Sequence, residues 1–161
     1  MATIKATRTS QPVMAAEFVF NYGDTMLDTT ATPVLKTFGS VYTDAGTFEV
    51  IPLPIGAVVV GGSVIVETQG VGPTAYTLAV GNSSTGNLFL AASSLLAAAG
   101  TSYPLTVCTA SGTTNAVALG NNDGKNVRIT VASTVANASA GKFRVRVLYT
   151  IDGRATDTCA V

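Results

Sequence analysis

The chain has 161 residues, 47% of them apolar and only 11% charged, with nine basic residues balancing nine acidic ones. This length corresponds to one domain that can fold without disulfides or metals. The sequence contains no histidine, which removes the commonest general base and metal ligand and excludes serine–histidine and cysteine–histidine catalysis.

The first twelve residues predict an extended N-terminal arm, because they are polar and end at Pro12. Such arms are ordered mainly when a partner holds them, and a disordered tail is the alternative. No continuous apolar block follows Lys5 and Arg8, so we expect that the chain has no secretory signal. We therefore expect it to be synthesised in a cytoplasm. Cys108 and Cys159 are then expected to be reduced thiols, with a bridge between them as the alternative and metal binding less favoured.

Residues 13–161 predict a single domain of about eight short strands. The clearest strand is 142–149, where charged and apolar residues alternate, so that Lys142, Arg144 and Arg146 point outward. The Gly61–Gly62 pair predicts a bulge or bend, and the Ala/Leu-rich segment 91–99 predicts at most one short helix. Without long crossover helices, the pattern predicts an all-β, jelly-roll-like antiparallel sandwich. The other predicted strands are 13–22, 47–52, 57–68, 75–80, 103–108 and 126–132, with edge pieces near 34–41 and 116–119.

Charge is distributed unevenly along the chain. Residues 1–124 carry three basic and seven acidic residues, a net charge of −4, whereas residues 125–161 carry six basic and two acidic residues, a net charge of +4. The simpler interpretation is a set of solvated strand faces, and the alternative is a basic face for an acidic partner surface. Nucleic acid is not an expected partner, because no aromatic residues are interspersed among the basic ones for stacking on bases.

Residues 68–122 contain no charged residue, yet they are too many and too polar to be core throughout. Part of this stretch is therefore predicted to face another protein, since interface cores are depleted in charge. Membrane insertion is excluded by length, because the longest apolar runs, 55–66 and 88–99, are shorter than the roughly 20 residues that a membrane-spanning helix needs.

The sequence contains no motif that clearly predicts a reactive site. The nearest carboxylate pairs, Asp24 with Asp28 and Asp152 with Asp157, fit turns better than catalysis. The glycine-rich segment 70–73 lacks the lysine of a phosphate-binding loop, and the turn predicted at 121–124 lacks the spaced ligands of a calcium loop. No tryptophan is present to form a glycan-binding platform. We expect no catalytic, cofactor-binding or metal-binding residue.

Segments 51–68, 76–82 and 141–154, with their apolar strands and glycines, resemble the small virion structural proteins of tailed bacteriophages, namely the head decoration or cement proteins. The similarity runs over about residues 13–155. It implies a jelly-roll-like fold that binds the outside of the expanded capsid, as a homodimer bridging neighbouring subunits of the major capsid protein, with a trimer as the alternative. It implies no catalytic or ligand-binding residue.

Three regions are expected to contact the capsid: the arm, the uncharged stretch and the basic strand face. Their residues are Thr3, Ile4, Lys5, Arg8 and Gln11 in the arm, Leu88, Phe89, Leu95 and Leu96 in the uncharged stretch, and Arg144 and Arg146 on the strand. Two rival functions remain at this point. One is a tail or fibre component that binds host glycans, and the other is a carboxylate-based hydrolase, which would need two carboxylates roughly 5–10 Å apart.

Overall fold

The computed structural model describes residues 12–29, 33–42, 44–83, 86–106 and 125–151, and these residues contain ten strands and no helix. Their short, β-branched and aromatic-rich runs favour strands over helices. In chain order the strands are β1 (Met14–Asn21), β2 (Thr25–Leu27), β3 (Leu35–Thr37), β4 (Gly46–Ile51), β5 (Ala57–Val71), β6 (Ala75–Asn82), β7 (Leu90–Ser94), β8 (Ser102–Pro104), β9 (Val127–Thr134) and β10 (Ala140–Ile151).

Two four-stranded antiparallel sheets form a sandwich, with strand orders β1-β10-β5-β8 and β4-β9-β6-β7, while β2 and β3 form a separate hairpin. The pairs are nested along the chain: β1 pairs with β10, β4 with β9, β5 with β8, and β6 with β7. The eight strands thus form one long antiparallel ribbon with its tip at β6–β7, wrapped into two facing sheets. This arrangement is a jelly roll, and it confirms the predicted fold class.

Most predicted strands are present, and segment 91–99, where at most one short helix was predicted, contains no helix. Segment 91–99 begins in β7, where Ser94 pairs with Thr77 and Ser93 with Leu78 of β6. Alanine favours a helix in isolation, and here the pairing with β6 overrides that preference. The short strand β2 was not predicted, while β3 lies within the predicted edge piece 34–41. The edge piece 116–119 and the turn at 121–124 lie outside the described residues.

The glycine pair marks a bulge, as predicted. Leu148 of β10 pairs with Gly61 and Tyr149 pairs with Val59, which leaves Val60 as the extra residue of β5. Gly62 has φ +141°, and a Cβ there would lie 2.1 Å from the backbone oxygen of Arg146. Only glycine fits this conformation and this close approach. β5 pairs with β10 on both sides of the bulge and therefore remains in the same sheet.

Aromatic rings fill the space between the sheets. The ring centroid of Phe38 lies 4.5 Å from that of Phe20 and 4.4 Å from that of Phe48. Tyr76 is also fully buried, and its hydroxyl donates a hydrogen bond to the backbone oxygen of Phe38 at 3.0 Å. Burial raises the pKa of the Tyr76 hydroxyl far above its usual range. These contacts tie the segment after β3 to both sheets.

An ion pair anchors the β2–β3 hairpin to the sandwich. Lys36 Nζ lies 2.6 Å from Oδ2 of Asp28, whose side chain is buried, and 2.6 Å from Oδ2 of Asp44. The other oxygen of Asp28 accepts a hydrogen bond from the backbone N–H of Thr47 in β4. The hydrogen bonds to Asp28 and then Asp44 raise the pKa of Lys36 above its usual value. The hairpin is therefore fixed beside β4.

Candidate partner-binding surfaces

Five charged side chains form a row on the outer face of the β1-β10-β5-β8 sheet, called the charged row below. Strand alternation brings them to one face. Arg144 Nη1 lies 2.9 Å from Oε2 of Glu17, and Arg146 Nε lies 3.2 Å from Oε1 of the same residue. Arg144 also binds Glu67, whose second oxygen lies 2.9 Å from Lys142 Nζ. Each carboxylate thus lies between two cations.

The charged row is electrostatically coupled. Hydrogen bonds from Lys142 and then Arg144 lower the pKa of Glu67, and Glu67 in turn raises the pKa of Arg144. A similar cluster lies on the other sheet, where Asn126 and then Arg128 hold the pKa of Glu49 below its usual value. Exposed ion pairs are individually weak, but shared partners in a network hold the side chains in place.

This pairing explains the opposite charges of the two parts of the chain. Arg144 and Arg146 lie on the outer face, as predicted, but their charges are opposed by Glu17 and Glu67 from the acidic part. The arrangement corresponds to solvated strand faces with internal pairing. An unbalanced basic face does not occur there, although the Arg146 side chain remains 50% exposed.

The four residues expected to make contacts in the uncharged stretch do not form one exposed face. Phe89 and Leu95 are fully buried in the core, so their side chains are not available to a partner, and this part of the predicted contact set is corrected. Leu88 and Leu96 are partly buried and pack against the core. Charge depletion in this stretch thus reflects the core as much as any interface, because buried positions are also poor in charge.

An exposed isoleucine at the turn between β4 and β5 was missed by sequence reasoning. Ile55 is 95% exposed and is followed by Gly56 with φ +78°. The turn is closed by a hydrogen bond of 3.0 Å from Ala57 N to Pro54 O. Its start is held by Asn126 Oδ1, which accepts from Leu53 N at 3.0 Å. The signal in the sequence was an isoleucine between proline and glycine, where a turn exposes the side chain.

The Ile55 turn lies at the same end of the sandwich as both ends of the described chain, here called the terminal end. Met14 pairs with Tyr149 at the start of β1, and Ala57 pairs with Ile151 at the end of β10. Segments 1–11, 107–124 and 152–161 all connect to strands at this end. The opposite end carries the shorter turns that join β5 to β6 and β9 to β10.

Several predictions fall outside the part of the chain that the structure describes. They concern the arm residues Thr3, Ile4, Lys5, Arg8 and Gln11, and the pairing of Cys108 with Cys159. Among the described residues, no group of three or more histidine, cysteine, aspartate or glutamate side chains is placed to hold a metal ion. The same residues contain no helix that is long and apolar enough to span a membrane.

Comparison with solved structures shows that the fold is shared with a chain of the cyanophage Pam1 capsid asymmetric unit. The two chains are 24% identical with a TM-score of 0.57, over 93% of this chain and 94% of that one. A chain of the capsid of Ralstonia phage GP4 matches with 19% identity and a TM-score of 0.49, over 94% of this chain and 91% of that one. No protein-family model and no curated protein matches this chain.

Proposed function

We propose that this chain is a non-enzymatic structural protein of a bacteriophage virion, which binds the outer surface of the capsid and stabilises the expanded head by bridging subunits of the major capsid protein. The observation that carries the proposal is the fold shared with a chain of the Pam1 capsid asymmetric unit. Because each chain is covered over more than nine tenths of its length, the likeness extends to the whole molecule.

The state of the acidic side chains supports a role without catalysis. A carboxylate-based enzyme needs one carboxylate that is free to act as a base and a second carboxyl group whose pKa is raised. Here Glu17, Glu49 and Glu67 are all held by arginine, and Asp28 and Asp44 share Lys36. The pKa values of Glu49 and Glu67 are both lowered by their hydrogen-bonding partners. These contacts hold strands together and leave the groups unsuited to proton transfer.

Within this proposal, the terminal end faces the capsid. It combines the exposed Ile55 with the attachment points of the predicted arm and of the C-terminal segment. An apolar side chain on a rigid turn is a suitable anchor for a partner pocket. Binding of many copies would favour the assembled, expanded shell over released subunits by mass action, and bridging contacts would add through multivalency.

A direct test compares expanded phage heads that lack this protein with the same heads after the purified chain is added back. We expect the supplemented heads to rupture at a higher temperature, measured by release of packaged DNA. Equal rupture temperatures would contradict the stabilising role. Binding confined to tails, cells or host polysaccharide would favour the alternative of a tail or fibre component instead.

A further inference from the structure

Two prolines shape the segment that leads from β4 to the Ile55 turn. Pro52 and Pro54 have no backbone N–H, so Leu53 carries the single N–H donor of residues 52–54. The side chain of Leu53 is buried in the core, whereas both prolines and Ile55 are exposed. The turn therefore presents an uncharged, apolar tip on a segment that is rooted in the core.

The ladder between β4 and β9 ends just before this segment. Its last pair is Ile51 with Val127, which follows a register shift. Beyond Ile51 the connection continues through a side chain, because Asn126 Oδ1 accepts a hydrogen bond from Leu53 N–H at 3.0 Å. Asn126 thus takes the place of a strand partner for the first half of the turn.

Asn126 is itself held by a charged pair on the outer face of the sheet. Its Nδ2 donates to Glu49 Oε1 at 2.5 Å, and Arg128 Nε and Nη2 each lie 3.1 Å from Glu49 Oε2. An amide suits the position of Asn126, because one group both accepts from a backbone N–H and donates to a carboxylate. The hydrogen bonds run from Arg128 through Glu49 and Asn126 to Leu53 N–H, and this chain is called the relay below.

The relay is charge-assisted and partly shielded from water. The side chains of Arg128 and Glu49 are 25% and 34% exposed. Asn126 and then Arg128 hold the pKa of Glu49 below its usual value, so Glu49 stays ionised at neutral pH. Hydrogen bonds to an ionised group are stronger than those between neutral groups. The relay therefore keeps Asn126 in the orientation that the bond to Leu53 N–H requires.

We propose that the relay is a positioning device, which fixes the Ile55 turn in the geometry in which Ile55 enters an apolar pocket of the major capsid protein. This inference rests on the proposed function and adds the residues that keep the contact rigid. A turn that is fixed in advance loses little conformational entropy on binding, and this raises the affinity. Glu49, Asn126 and Arg128 act through Leu53, without contact with the capsid.

Exchanging the acid and the amide of the relay tests this role. Glu49→Gln sets an N–H group against either Arg128 or Asn126, so that one hydrogen bond is lost. Asn126→Asp sets two carboxylates against each other. The double variant Glu49→Gln/Asn126→Asp again places a donor opposite an acceptor at every link, and its net charge equals that of the wild type. It is therefore a rescue variant that contains both substitutions.

Amide hydrogen exchange of the purified chain measures the state of the turn directly. Leu53 N–H should exchange about tenfold faster in each single variant, because its acceptor is no longer held. The double variant should exchange at nearly the wild-type rate. Glu67→Gln makes the same chemical change on the other sheet and should leave the exchange of Leu53 N–H unchanged. Thermal melting confirms that every variant is folded.

Co-sedimentation with expanded heads that lack the protein gives the second readout. Each single variant should raise the dissociation constant about three- to tenfold, and the double variant should restore it. Where the wild type binds, the proposal is overturned by unchanged Leu53 exchange in the single variants, by faster exchange with unchanged affinity, or by a double variant that binds no better than the single ones. The proposed function survives each of these results. It fails, together with this proposal, only if the wild type itself does not bind.

Discussion

Arg144 in β10 donates to Glu67 in β5 from Nε at 2.6 Å, with Nη2 at 2.5 Å from the same carboxylate oxygen, although the two residues are 77 positions apart in the chain. Lys142 occupies the other oxygen of Glu67 at 2.9 Å. The acidic part of the sequence thus meets the basic part along adjacent strands. The charge asymmetry that suggested an acidic partner is largely balanced inside the molecule.

This pairing predicts a loss of stability in acid. The pKa of Glu67 is lowered in the folded protein by Lys142 and then Arg144. Its contribution is therefore present above the ordinary glutamate pKa of about 4.3 and is lost as the pH falls through the folded-state value. The melting temperature of the wild type should exceed that of Glu67→Gln at neutral pH, and the difference should shrink as the pH falls to about 2. A gap that persists in strong acid would contradict this role.

The revised position of Phe89 gives a second prediction. Phe89 is fully buried, whereas the adjacent Leu88 is only partly buried. Phe89→Ala should destabilise the fold by about 3–5 kcal/mol through lost burial and a cavity. Leu88→Ala should cost about 1 kcal/mol or less. Urea denaturation measures both variants, and similar small losses would mean that Phe89 is not a core residue.

The glycine pair of β5 provides a third prediction with a built-in control. Gly62→Ala places a Cβ against Arg146 O in a conformation that alanine resists, and should cost at least about 2 kcal/mol. At Gly61 the nearest atom to an added Cβ is Leu148 Cδ1, at 3.9 Å, so Gly61→Ala should be nearly neutral. Equal free energies of unfolding for the two variants would be inconsistent with the bulge described here.

The terminal end leads to a fourth prediction. Ile55→Asp and deletion of residues 1–11 should each weaken binding to expanded heads without lowering the melting temperature, because Ile55 is exposed and no described strand includes the deleted residues. Val135→Asp is the control, since Val135 is 68% exposed at the opposite end. Unchanged occupancy after the deletion would remove the arm from the contact set, and equal effects of Ile55→Asp and Val135→Asp would remove the Ile55 turn.

The sequence was most informative where the two faces of a strand differ. In β10 the alternation of Arg144 and Arg146 with valines identified both the strand and its buried face. The uncharged segment around Phe89 offered no such contrast, so core and surface could not be told apart. Its alanines suggested a helix, because local propensity carries no information about the pairing with β6.

Features that depend on register could not be predicted from the chain alone. The contact between Glu67 and Arg144 requires β5 and β10 to be neighbours at one particular offset. The position of β1 at the edge of its sheet, among the described strands, is apparent only after the order of all four strands is known. The hydrophobic pattern of a strand fixes which of its faces is buried, but it does not identify the neighbouring strand.

The proposed capsid role is tested most directly by co-sedimentation of the purified chain with expanded heads that lack it, counting bound copies per particle across a titration. The account predicts saturation at a fixed ratio to the major capsid protein, as expected for equivalent sites repeated over the shell. No binding, or only a handful of copies per head, would contradict a decoration role and leave a tail or adhesive role as the better explanation.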